Sequence, residues 1–131
     1  MFSQASGIPL TDAVSASGAV PGIWPLVHIQ GQPWIDGGMV SAANARLAEG
    51  YDKILILAPM SAGYGGIPGA AEDAAALSDR ANVRLIVPDK ASLSAIGTNP
   101  YDPARRAQVA IAGAAQGRAS AAEVLEMWRQ A

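Results

Sequence analysis

Alternating helical and strand periodicities predict an α/β fold for this chain. Lys53-Ile54-Leu55-Ile56-Leu57-Ala58 and Val83-Arg84-Leu85-Ile86-Val87 are near-continuous apolar runs, the pattern of strands covered on both faces in a parallel sheet. Between them lies an Ala-rich stretch over 70–80 with helical character, so a strand–helix–strand crossover of right-handed sense is expected. Together these give a partial three-layer arrangement, a mainly parallel sheet with flanking helices. The expected order is that strands 54–58 and 83–87 lie side by side.

The remaining elements follow in chain order. Residues 10–16 suit a short helix, with Thr11 or Asp12 near its start. Leu26-Val27-His28-Ile29 and Trp34-Ile35 read as two short strands joined by Gln30-Gly31-Gln32-Pro33, a hairpin with glycine at the turn. Ser41 suits the N-cap of a helix over 42–48, closed by Gly50. Residues 59–69 form a loop. A helical turn is expected over 91–96, and Pro103 suits the first position of another helix that ends at Gly117. Ser120 then caps a last helix over 121–130. With no internal repeat and no low-complexity linker, the 131 residues are expected to form one domain.

Composition excludes several function classes. Hydrophobic residues make up 50% and charged residues 15%, so the chain is not a disordered tail. A net charge of -2 and a pI near 5.2 lack the basic footprint of a nucleic-acid binder. No apolar run approaches the ~20 residues of a membrane span, and Met1-Phe2-Ser3-Gln4 has no signal-peptide character. The chain has no cysteine, which removes disulfides, thiolate metal sites and a cysteine nucleophile. One histidine cannot build a multi-histidine metal centre. A cytoplasmic domain without metal or cofactor is expected, with a membrane-peripheral position as the alternative.

The most informative residue is Asp36, in Pro33-Trp34-Ile35-Asp36-Gly37-Gly38. A carboxylate between a short apolar stretch and two glycines suits the tip of a strand, where the backbone turns tightly and a ligand can approach. Taken alone, the tripeptide reads first as an Asx-type turn, its side chain accepting from the amide of Gly37 or Gly38. Its flanks are more specific. Upstream stands Ala16-Ser17-Gly18-Ala19-Val20-Pro21-Gly22-Ile23-Trp24-Pro25, and downstream Ser41-Ala42-Ala43-Asn44-Ala45-Arg46-Leu47-Ala48.

A-S-x-A-V-P-G-I-x-P, W-I-D-G-G and S-x-x-N-A-x-L-A-x-G in this order resemble the distal half of the patatin-like phospholipases. The resemblance is strongest from Gly7 to Pro59. It continues more weakly through Ser92–Gly97, Asn99–Arg106 and Gly113–Arg118. It implies a patatin-like fold, lipid or acyl-ester substrates, no cofactor, and Asp36 as the proton acceptor of a Ser–Asp dyad, with Gly37 and Gly38 supplying backbone geometry.

The family's glycine-rich oxyanion segment and G-x-S-x-G nucleophile elbow do not occur among these residues. Pro59-Met60-Ser61-Ala62-Gly63 comes nearest, but it lacks the leading glycine and follows the aspartate. The resemblance therefore assigns residues 1–131 to the C-terminal part of a patatin domain, inactive alone, which is expected to self-associate, to require a complementary N-terminal half, or to be marginally stable. The competing expectation is a non-catalytic interaction module or remnant of that fold, binding a partner along an exposed sheet edge.

Other residues carry weaker expectations. His28 is expected on a strand surface, and Ser17 as packing beside Asp36. Gly18 stands where the family more often has Ser or Cys. Trp24 and Trp34 are expected in the core, with an acyl pocket as the alternative. Residues 60–68 are expected as a flap or a solvent loop, and Arg105-Arg106 as a solvated helix face, with a phospholipid head group as the minority alternative for that pair.

Overall fold

A computed structural model describes residues 2–129. Its core is the expected crossover: β3 (Lys53–Leu57), α2 (Ala70–Leu77) and β4 (Asn82–Ile86), the two strands parallel with Ile54 opposite Val83 and Ile56 opposite Leu85. Alternation along β3 sends Ile54 and Ile56 to one face, where each is about 5% exposed. There they meet Ala70, Ala74 and Leu77 of α2, spaced one helical turn apart, together with Ala45. Leu55 and Leu57 point the other way, with Ile86, towards the long C-terminal helix. A shallow apolar groove of about 510 Å³ separates them from Val124, Leu125 and Trp128. Helix, sheet and helix thus make the three layers, with only two strands between them.

That C-terminal helix departs from expectation. The break at Gly117 is absent: α4 runs unbroken from Arg106 to Arg129, after α3 (Lys90–Ile96) and a 3-10 turn at Pro103–Arg105. Gly117 has the open space beside it that any residue would tolerate. A helical glycine costs about 1 kcal/mol relative to alanine, which contacts on both sides of it offset. Gln116 accepts from the Asp89 amide and the Ser92 hydroxyl at 3.1 and 2.8 Å, and donates to the Val87 carbonyl at 2.6 Å. Further along, Lys53 donates to the Trp128 carbonyl at 3.0 Å, and Arg84 pairs with Glu123. Gln130, the expected last residue of this helix, lies outside the described residues. Arg105 corrects a second expectation: its guanidinium donates to the Ala95 carbonyl at 3.1 Å, closing the end of α3, while Arg106 is exposed.

The N-terminal region is built differently. Helix α1 (Leu10–Ser17) ends at Gly18 and packs on the hairpin of β1 (Val27–Ile29) and β2 (Gln32–Trp34). The turn is tighter than expected. Gln30 and Gly31 alone form it, with φ of 52° and 74°, the two-residue type I′ geometry that matches strand twist. Gln32 and Pro33 therefore belong to the strand, Pro33 opposite His28. The expected helix over 42–48 shrinks to a 3-10 turn at Ala45–Ala48, because Asn44 adopts a left-handed φ of 48° that an α-helix does not admit.

Candidate functional site

Strand β2 ends at Trp34, so Asp36 lies two residues beyond it. Its amide donates to the carbonyl of the buried Ala19 at 3.0 Å, which pins the aspartate to the end of α1. The side chain then caps a 3-10 turn formed by Gly37–Met39, with Oδ1 accepting from the Gly38 amide at 2.5 Å. This is the Asx-type cap that the bare tripeptide suggests. A Cβ at Gly38 would stand 2.9 Å from Oδ1 and displace the carboxylate from this position, whereas Gly37 faces only ordinary contact distances.

Asp36 is half-buried and opens onto a groove of about 670 Å³. Val14 and Ser17 of α1 form one wall, Trp34 and Ile35 another, and Met39 and Leu47 a third. Oδ1 is committed to Gly38, while Oδ2 accepts from no group among the described residues. The arrangement presents one available carboxylate oxygen in a mostly apolar cleft, a setting in which it can take a proton from a hydroxyl placed against it.

The expected residues distribute unevenly around this groove. Trp34 lines it and packs against Phe2, the ring centroids 4.2 Å apart and the planes tilted by 46°. Trp24 does not line it and is 60% exposed, so it belongs neither to this cleft nor to the core. Ser17 shares the groove and is exposed rather than packed. Ser61 is elsewhere: its carbonyl accepts from the Ala71 amide at the start of α2. His28 is exposed on β1. Residues 60–68 fold back on themselves. A Cβ at Gly63 would stand 1.7 Å from the Ile67 carbonyl oxygen, and the Pro68 carbonyl accepts from the Ala42 amide at 2.9 Å.

Among the described residues a serine hydroxyl does meet an aspartate carboxylate, but away from Asp36. The Ser41 hydroxyl donates to the Asp73 carboxylate. Ser41 is only 3% exposed, and its oxygen also accepts from the Asn44 amide at 3.1 Å, so it lacks the access a nucleophile needs. No role is expected of Asp73, and Asn44 is expected only as part of the S-x-x-N-A stretch. For Asn44 a signal was present, since Ser41-x-x-Asn44 has the spacing of a hydroxyl-capped turn and asparagine tolerates left-handed backbone. Asp73 reads only as an acid in the first turn of a helix.

Residues 2–49 match the family model of the patatin-like phospholipases. The matched segment spans α1, the hairpin and Asp36-Gly37-Gly38, and the similarity to that family is confined to it. The likeness expected beyond Glu49 lies outside the matched residues. No curated protein and no solved structure matches the chain. Among the described residues no helix is long and apolar enough to cross a membrane.

Proposed function

We propose that Asp36 is the proton acceptor of a patatin-type serine acyl hydrolase, and that this chain contributes the base while the serine comes from another segment. The supporting observation is the Asp36 carboxylate itself, with Oδ1 tied to Gly38 and Oδ2 available at the edge of an apolar groove. In the reaction, a serine hydroxyl seated against Oδ2 attacks the ester carbonyl as its proton passes to the carboxylate. The proton then goes to the departing alkoxide, leaving an acyl-serine that water hydrolyses with Asp36 again as base. The groove's apolar walls suit an acyl chain.

With no nucleophile elbow among these residues, the isolated chain is expected to hydrolyse p-nitrophenyl butyrate no faster than background. Adding a polypeptide that carries the oxyanion and G-x-S-x-G segments is expected to give turnover, lowered about 10²–10⁴-fold by Asp36→Asn, the range for removing a general base. Turnover indifferent to Asp36→Asn would dismiss the base role. Turnover by the chain alone, abolished by that change, would place the nucleophile within it, with Ser61 and the groove-lining Ser17 tested first.

Exposed apolar side chains favour a second reading, an interaction module or self-associating remnant. Leu10 on α1 is 79% exposed and Leu57 on β3 is 69% exposed, and such surface commonly marks an interface.

A further inference from the structure

We infer that Asn44 and Asp73 are positioning residues for Asp36, linking its turn to the hydrophobic core through one chain of hydrogen bonds. The chain begins on α2, which the core holds through Ala70, Ala74 and Leu77. Asp73, in the first turn of that helix, accepts from the Ser41 hydroxyl and from the Ala45 amide, the latter at 3.0 Å. Ser41 in turn accepts from the Asn44 amide. Asn44 spends both side-chain N–H groups on carbonyls, donating to Ser41 and to Gly37 at 2.9 Å each.

The last bond sets the direction of the aspartate. The Gly37 carbonyl and the Gly38 N–H belong to one planar peptide unit. When Asn44 fixes where that carbonyl points, it also fixes where the Gly38 N–H points, and this N–H is the donor that holds Asp36 Oδ1. The Val40 amide donates to the same carbonyl at 3.0 Å, so Asn44 supplies the second of two donors that hold a peptide plane flanked by two flexible glycines. Asn44 is suited to the task because it reaches both carbonyls from a left-handed φ of 48°. Asp73 lies 28 residues from Ala45 in sequence, so the orientation of a surface carboxylate depends on a helix outside the patatin-like segment.

This assignment rests on Asp36 being the base, but it is tested without any turnover. Amide hydrogen exchange and the proton shift of Gly38 are measured by NMR in the full chain, with the β3 amides as the reference for global stability. Asn44→Gly keeps a backbone that tolerates positive φ and removes both side-chain donors. It is expected to speed Gly38 exchange about tenfold and to move its proton shift upfield, while β3 protection stays within about twofold. Asp73→Ala is expected to do the same, and Asp73→Asn, which keeps an acceptor oxygen, to retain most of the protection. Gly38 exchange unchanged in both Asn44→Gly and Asp73→Ala overturns the inference. So does acceleration at Gly38 and β3 in parallel, which would make the two residues merely structural. If the Gly38 response appears while reconstituted turnover ignores Asp36→Asn, the positioning stands and the base role falls.

Discussion

The antiparallel hairpin β1–β2 and the parallel pair β3–β4 are both two-stranded sheets, yet different forces hold them. In the parallel pair, Ile54 and Ile56 are sealed under α2, and the strands are five residues long. The hairpin has three residues per strand, one of them a proline, and of its side chains only Ile29 is buried. Around it Leu10, Val14, Trp24, Leu26 and Leu47 are all at least half exposed. One region is stabilised by excluding water from branched side chains, the other by turn geometry and hydrogen bonds. Asp36, the proposed base, sits on the second kind of scaffold, where the surface stays open, and the Asn44–Ser41–Asp73 bonds tie its turn to the first.

The largest effect that could break this contrast is in the core. Ile56→Ala is expected to cost about 2–5 kcal/mol, read as a lower urea midpoint with amide protection lost in both sheets together. Hairpin amides that kept their protection while β3 opened would show that the two regions fold independently. A smaller and local effect is expected at the turn. Gly31→Ala forces a side chain to φ 74° and should cost about 1–2 kcal/mol. Exchange should rise in β1 and β2 while β3 is unmoved, and a global loss would remove the distinction.

The smallest effect sharpens the contrast from the other end. Asp89 caps α3, and the amide of Ser92 holds its carboxyl below the ordinary value of 3.8. A carboxylate depressed in the folded state stabilises above its unfolded pKa and loses that contribution as the pH falls through the folded value. Asp89→Ala should therefore lower the melting temperature slightly near neutral pH, with the difference from wild type closing as the solution is acidified below about pH 4. A difference that persisted at low pH would mean packing, not the charged cap, supports α3.

Much of the core was legible in the sequence because its signals are local. The two apolar runs, the helix between them and Gly31 at a hairpin turn each declare themselves within a few residues. Pro103 is likewise found where a helix begins, preceded by Asp102, whose side chain accepts from the Ala104 amide. Continuity of α4 was not legible. Gly117 is a stop signal on its own, and what overrides it is Gln116 reaching the loop after β4 and the start of α3. Asp36 was legible as a capped turn from its two glycines, and as a candidate base only through the flanking resemblance. Its support was hidden, since the Ser41–Asp73 bond spans 32 residues and carries no pattern in either segment.

That span has a consequence for when the aspartate acquires its final geometry. A two-residue hairpin closes in about 1–10 μs from contacts between near neighbours, so β1, β2 and the Asp36 turn can form as soon as they leave the ribosome. The bond that steadies Asn44 must wait for α2, and α2 is held only once β3 and β4 have paired across it. Pairing of parallel strands across a long loop is slow, because the entropy of closure is lost before the contacts form. Asp36 is therefore an early residue with a late orientation. During synthesis the carboxylate is expected to be present but unaligned until the sequence up to Ile86 has emerged and folded.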